Sequence, residues 1–286
     1  MKSKRSGFTI VELLTAVVII SILVSLLVPA LSVVRNIAKE AKQKAQLTTI
    51  DLVLVAFKND YGDYPPSSSD EDYSGAQKLA EALVGWDLMG FHPDSAFRSD
   101  GKDDDDKEIY PASLNINNPD HVTNLKERKG PYLESSTANA FKLRDLFGTV
   151  TGLEANTYVL CDSFGVRKIT LNPSGNKPVN FKAGTPILYY RANTSSKDHM
   201  TDVNFKKRIY NAEDNKNLTA LKSVTPDGTE GNVHPLDADN YKAFYDHITD
   251  PKVAISWPYR ADSYILISAG ADGLYGTEDD ITNFGK

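Results

Sequence analysis

The chain has 286 residues, 41% of them apolar and 24% charged, with a formal net charge of −6. That composition belongs to a folded protein rather than a disordered one, and the length allows one large domain or two small ones. The acidic balance argues against a nucleic-acid binder, which carries a basic face, and the single cysteine, Cys161, excludes an intrachain disulfide or a multi-cysteine metal site.

Met1 to Gly7 (MKSKRSG) carries Lys2, Lys4 and Arg5. Phe8 to Leu31 follows as an apolar run interrupted only by Thr9, Glu12, Thr15, Ser21, Ser25 and Pro29. From Ile10 to Leu31 it is long enough to cross a hydrocarbon core of about 30 Å at about 1.5 Å per residue. Basic residues ahead of such a span keep its start cytoplasmic. Composition alone leaves a cleaved signal peptide open, with VPALS at 28–32 as a weak cleavage site. The next segment decides against it. Residues 32–60 lack glycine and proline, and Val34, Ala38, Ala41, Ala45, Ile50, Val53, Leu54 and Phe57 recur at helical spacing. The pattern predicts one helix from Phe8 to Asn59, roughly 78 Å long, kinked or loosened at Pro29. A signal peptide has no reason to continue as such a rod. Glu12 is the anomaly, because an ionised carboxylate in an apolar span is costly and normally has a partner.

Gly7-Phe8-Thr9-Ile10-Val11-Glu12-Leu13-Leu14, behind its short basic leader, resembles the prepilin signature of type IV pilins and type II secretion pseudopilins. The resemblance implies that a membrane prepilin peptidase cuts between Gly7 and Phe8 and methylates the new Phe8 amine. It also implies that Glu12 meets the Phe8 amine of a neighbouring subunit and so sets the stagger of subunits in a filament. On this reading residues 1–7 are a leader peptide, 8–31 a transmembrane and filament-core segment, 32–60 its amphipathic continuation and 61–286 a globular domain.

The helix should stop at Tyr61-Gly62-Asp63-Tyr64-Pro65-Pro66, where glycine and two prolines break it. Ala76 to Val84 reads as a short helix. In FRSDGKDDDDKEIYP (97–111) the Asp103–Asp106 run reads as a solvated loop, with weak calcium binding as the sharper alternative. Strands are expected at Tyr158–Cys161, Val166–Leu171, Pro186–Arg191 and Ser263–Ser268. Residues 192–252 are polar and weakly periodic, an elaborated surface loop or subdomain. Cys161 itself reads as a small buried hydrophobe. The histidines (His92, His121, His199, His234 and His247) show no metal-binding spacing and read as ordinary surface or core residues.

Several pieces resemble the major, G-type pseudopilin in particular. They are YGDYPPS at 61–67, GPYL at 130–133, and Asp162-Ser163-Phe164-Gly165 with Pro186-Ile187-Leu188-Tyr189-Tyr190. About twenty residues separate the last two here, whereas that family usually keeps them adjacent. A relative with extra loops is the description that fits.

The C-terminal stretch SAGADGLYGTEDDITNF, 268–284, combines Gly270, Gly273 and Gly276 for turning with Asp272, Glu278, Asp279 and Asp280 for oxygens. Calcium takes six to eight oxygens at about 2.3–2.6 Å, so a calcium loop and a plain acidic turn are both open on the residues alone. The spacing is not that of an EF-hand. The pseudopilin resemblance implies the calcium loop, with Asp272 and Asp279 as side-chain ligands, Asp280 as a further one, and carbonyls from Ala269 and Thr277.

Taken together, an α+β, type IV pilin-like fold is expected, with the long helix packed on a small antiparallel sheet. The resemblance implies a non-enzymatic filament subunit, most consistent with type II secretion and protein transport. Its partners would be further copies of the chain, minor pseudopilins, the prepilin peptidase and an inner-membrane assembly platform. The protein would be a single-pass inner-membrane protein with its C-terminal domain in the periplasm. A pilus subunit serving adhesion, motility or DNA uptake is the alternative, as is a membrane-tethered calcium- or glycan-binding module. A tethered enzyme would need a nucleophile and base or a metal-water site, and no such constellation stands out.

Overall fold

The computed structural model describes residues 9–68, 72–111, 114–148, 150–171, 177–223, 231–237 and 241–285. The chain divides into two compact units, Met1–Ala41 and Lys42–Lys286. A single helix, α1 (Ile10–Tyr61), contributes to both. It continues as α-helix through Pro29, where a kink or loosening was expected. Proline removes one N–H donor and crowds the carbonyl four residues earlier, and the turns on either side remain helical. At its C-terminal end the Gly62 N–H donates to the Lys58 carbonyl (2.7 Å) and the chain leaves through Pro65 and Pro66.

In the second unit α1 buries Gln43, Gln46, Leu47, Ile50, Leu54 and Phe57, a stripe at steps of three and four. The sequence pattern put Ala41 and Ala45 on this stripe, and both are exposed. Two glutamines take the buried line instead because each meets backbone. The Gln46 Nε2 donates to the Cys161 carbonyl (2.9 Å), and Gln43 Oε1 accepts from the Ser163 N–H (2.7 Å).

Besides α1, the helices are α2 (Gly75–Val84), α3 (Pro119–Glu127), α4 (Ser135–Ala138), α5 (Leu143–Phe147), α6 (Lys216–Thr219) and α7 (Tyr241–Ile248). Seven strands form three antiparallel sheets among the described residues. β1 (Ala140–Lys142) pairs with β2 (Tyr158–Leu160), and β3 (Arg167–Leu171) with β4 (Val179–Ala183). The third sheet runs β5 (Leu188–Arg191), β6 (Tyr264–Ser268), β7 (Ile281–Thr282). Each expected strand is present to within two residues at either end. β1, β4 and β7 are additions, too short or too polar to stand out. The architecture is α+β, a long N-terminal helix with small antiparallel sheets, consistent with a type IV pilin-like fold.

The third sheet organises the core. Side chains alternate between faces along a strand, and here both faces are covered. Tyr189, Tyr264 and Leu266 join Leu47, Ile50 and Leu54 of α1 and Leu79 and Leu83 of α2. On the other face Leu188, Tyr190, Ile265 and Ile267 meet Ile209, Tyr210, Phe244, Tyr245 and Ile248. Residues 192–252, read from sequence as polar and weakly periodic, thus supply the second cover of the sheet. Their apolar residues are spread over short turns and the one-sided helix α7, so no long periodic signal marks them. Cys161 is fully buried, as expected.

Candidate functional site

Two features carry the sequence-predicted site residues. The first is the start of α1. Thr9 and Glu12 form a reciprocal cap. The Thr9 N–H and hydroxyl donate to Glu12 Oε2 (2.9 and 2.8 Å), and Thr9 Oγ1 accepts from the Glu12 N–H (3.2 Å). Such a box satisfies two of the orphan N–H groups at a helix start. The sequence signal for it is the Thr-x-x-Glu spacing of Thr9 and Glu12. All three contacts leave Glu12 Oε1 without a hydrogen bond among the described residues. Gly7, Phe8 and the rest of the leader lie outside the described residues, so the Phe8–Glu12 relationship is not part of this geometry.

Beyond Glu12 the next charged residue is Arg35. The described side chains of the apolar span are exposed, from Ile10 at 80% to Val18 at 48%. Their mean hydropathy reaches 2.9, and by length and composition the helix can cross a membrane. The interrupting hydroxyls satisfy themselves on their own helix. Thr15 donates to the Glu12 carbonyl (3.0 Å), Ser21 to Val17 (2.8 Å) and Ser25 to Ile22 (2.7 Å). That is what an apolar surrounding requires of a polar group. An apolar helix surface of this extent has to be covered by lipid or by protein.

The second feature is the loop after β6. Gly270 has a positive φ, and a Cβ there would lie 2.3 Å from the Asp279 carbonyl, so the loop closes on itself only with glycine at this place. Asp279 is its internal anchor. One oxygen accepts from the N–H groups of Ala271 (2.7 Å) and Asp272 (3.0 Å), the other from the Thr277 hydroxyl (2.6 Å). Burial pushes the Asp279 carboxyl up, but the Thr277 hydroxyl and those amides outweigh it and hold the group below the ordinary range. Asp272, whose Oδ1 accepts from the Leu274 N–H (2.8 Å), is raised by burial and, further, by the neighbouring Asp279 charge. Asp280 is turned inward. Its Oδ2 accepts from the Gly276 N–H (2.7 Å) and lies 3.4 Å from His247 Nε2. Burial, with the charges of Asp279 and Asp272, raises Asp280 to about 7. The Thr277 carbonyl accepts from the Asp280 N–H at 3.4 Å, and Ala269 is buried.

Among the described residues no group of three or more His, Cys, Asp or Glu side chains is placed to hold a metal ion. Both Asp279 oxygens accept from the loop's own N–H and hydroxyl donors, and the Asp272 carboxyl lies within its electrostatic reach. The Asp103–Asp106 run forms an exposed turn, with Asp103 Oδ1 accepting from the N–H groups of Asp105 (3.0 Å) and Lys107 (2.8 Å) and Arg98 paired to Asp106 (2.9 Å).

The stretches at 61–67, 130–133 and 186–190 come together in space. The Tyr189 hydroxyl donates to the Pro65 carbonyl (2.7 Å), Arg191 pairs with Asp63, and Tyr132 donates to Asp60 at 2.5 Å. Between DSFG and PILYY lie β3 and β4, paired antiparallel as a β3–β4 ribbon. At its base the Asp162 N–H donates to the Thr185 carbonyl (2.9 Å) and Cys161 bridges to Pro186. A Cβ at Gly184 would come within 2.1 Å of Asp162 Oδ1, so glycine is what lets the two ends of the hairpin close together. The two halves of the motif are therefore adjacent in the fold although separated in the chain.

Comparison with known proteins finds one family. The family model of the prokaryotic N-terminal methylation motif matches residues 2–28. No curated protein and no solved structure matches the chain.

Proposed function

We propose that this type IV pilin-like prepilin is a structural subunit of a type II secretion pseudopilus. The observation that carries the reading is Glu12. It stands at the head of an exposed span with no other charge before Arg35, behind the methylation motif, with one carboxylate oxygen unengaged among the described residues. Cleavage between Gly7 and Phe8 would create an amine one helical turn away. In a stack of such helices, the amine of one subunit and the carboxylate of the next neutralise each other where lipid cannot, and the pairing sets their axial stagger. Lys2, Lys4 and Arg5 keep the start cytoplasmic, which puts residues beyond the span on the periplasmic side. The partners on this reading are further copies, minor pseudopilins, the prepilin peptidase and the inner-membrane assembly platform. The convergence of the 61–67, 130–133 and 162–190 landmarks, together with a single cysteine, favours secretion over an adhesive pilus. Processing is the direct test. Gly7→Ala should leave the full leader on nearly all of the protein, read by intact-mass spectrometry of membranes. Normal removal of the leader from that variant would overturn the assignment.

A calcium ion on the C-terminal loop belongs to the same reading. Asp272 and Asp279 would be its side-chain ligands, with Ala269 and Thr277 offering carbonyls and Asp280 a further carboxylate if it turns from His247. The ion would relieve the repulsion that helps raise Asp272. Binding to the folded form alone stabilises by about 2.7 kcal/mol at a hundredfold excess over Kd. Millimolar calcium should therefore raise the melting temperature by several degrees. Asp272→Asn, which keeps an acceptor for the Leu274 N–H, should abolish that rise while melting normally without calcium. A wild-type protein that does not respond to calcium removes the metal.

A further inference from the structure

From Ser163 to Lys197 the chain has no acidic residue and carries Arg167, Lys168, Lys177, Lys182, Arg191 and Lys197, in a protein of net charge −6. The first four lie on or beside the β3–β4 ribbon. Its register sets Lys168 directly opposite Lys182, on the same face as Thr170 and Asn180. That face is exposed. The Thr170 hydroxyl donates to Asn180 Oδ1 (2.8 Å), a favourable cross-strand pair. Two like charges directly opposite are the reverse, and they destabilise the strands that carry them. Neither these lysines nor Arg167 and Lys177 have an acidic partner among the described residues. The other face of β4 leaves Val179 and Phe181 43% and 42% exposed. Lysines on an edge strand deter strand addition, so what this ribbon offers a partner is its charged face.

The complement lies in the same chain. Asp100 to Glu108 holds six acids against Lys102 and Lys107. Arg98 pairs with Asp100 and Asp106 (2.9 Å each), and Asp103 holds the N–H groups of the turn. Asp104 and Asp105 are exposed, and their carboxylates have no partner among the described residues. Nor does any ion pair among the described residues join this turn to the ribbon within one chain. Two patches of opposite sign, on separate segments and each uncompensated at home, compensate one another when they belong to different copies. A contact between unlike patches is head-to-tail, and where its rotation does not close it propagates as a helical fibre.

We propose that the Lys168–Lys182 face of the ribbon binds the Asp103–Asp106 turn of a second copy of this chain. The contact rests on the filament reading and adds to it a link between subunits outside the apolar span. Charge complementarity of this kind fixes register and speeds association more than it adds affinity.

Carbodiimide coupling of amines to carboxylates tests this, on an equal mixture of unlabelled and nitrogen-15-labelled full chains in detergent micelles. Peptides joining Lys168 or Lys182 to Asp104 or Asp105 should form with one labelled and one unlabelled member. At 1 M salt, where the screening length is about 3 Å, they should be at least about tenfold rarer. In cells, Lys168→Glu with Lys182→Glu should melt as the wild type does yet lower filament yield at least about tenfold. Asp104→Lys with Asp105→Lys should do the same, and the four changes together should restore the yield. An absence of these links, or links confined to one isotope composition, overturns the contact. Wild-type yield from both pairs of variants, or no recovery on combining them, overturns it equally. Links between copies without any wild-type filament leave the contact standing and overturn the pseudopilus reading. Wild-type filaments without links do the opposite. Duplex DNA bound by the wild type but not by the lysine variant, with no links between copies, assigns the ribbon to nucleic acid instead.

Discussion

Glu12→Gln is expected to be processed normally and to form almost no filament. Glutamine serves the N-terminal box as well as glutamate does, so the hydrogen bonds from the Thr9 N–H and hydroxyl survive and the start of α1 is kept. Only the charge is lost. A charge-assisted pair is about twice as strong as a neutral hydrogen bond and shorter, and in an assembly each subunit repeats the loss. Filament yield should fall at least about tenfold relative to wild type, measured by shearing and immunoblotting beside a mass spectrum of the processed N-terminus. Glu12→Ala removes the cap as well as the charge and should be no better. Abundant filaments from Glu12→Gln would reduce Glu12 to a capping residue. A retained leader in that variant would place its role in processing instead.

The largest loss of stability is expected at Arg128. Its side chain is 1% exposed and its Nη1 reaches both carboxylate oxygens of Asp87 (2.8 and 2.7 Å). Nη2 donates to Asn124 (2.8 Å) and to the Ile109 carbonyl (3.3 Å), and the guanidinium stacks 4.8 Å from the Tyr110 ring centre. This one side chain therefore ties α3 to the turn after α2 and to the segment ending at Tyr110. Arg128→Met strands a mostly buried Asp87, and breaking a buried pair on one side costs about 3–5 kcal/mol. In a chain of this size that lowers the melting temperature by about 10 °C. Adding Asp87→Asn, which keeps an acceptor for the Met89 N–H (3.0 Å), should recover part of the loss. A double variant no better than Arg128→Met would mean that packing on Tyr110, and not the ion pair, holds the segment.

The residues around the predicted sites show where sequence reasoning succeeded and where it stopped. Glu12 stands out because a carboxylate in an apolar run is conspicuous, and its bond to Thr9 is equally local, carried by the Thr-x-x-Glu spacing. The C-terminal loop was legible as an acidic glycine-rich turn. The division of labour among its aspartates was not: Asp279 anchors backbone, Asp272 stays outside, and Asp280 turns inward to His247 of α7, a helix more than thirty residues earlier in the chain.

What the sequence determined by itself was local: the apolar span and its continuation as one helix, the turn at Gly62 to Pro66, the strands with dense β-branched and aromatic residues, and the N-terminal motif. Each rests on neighbours within a few turns of helix or a few residues of strand, where periodicity and backbone preference act directly. The tertiary structure decided the rest. It put Gln43 and Gln46, rather than the alanines, on the buried face of α1, because only the folded chain brings the Cys161 carbonyl and the Ser163 N–H to them. It paired β3 with β4 after Gly165 so that Asp162 and Thr185 meet. It also turned residues 192–252 into the second cover of the central sheet. Those outcomes depend on groups far apart in the chain satisfying one another, and no window of sequence contains both partners.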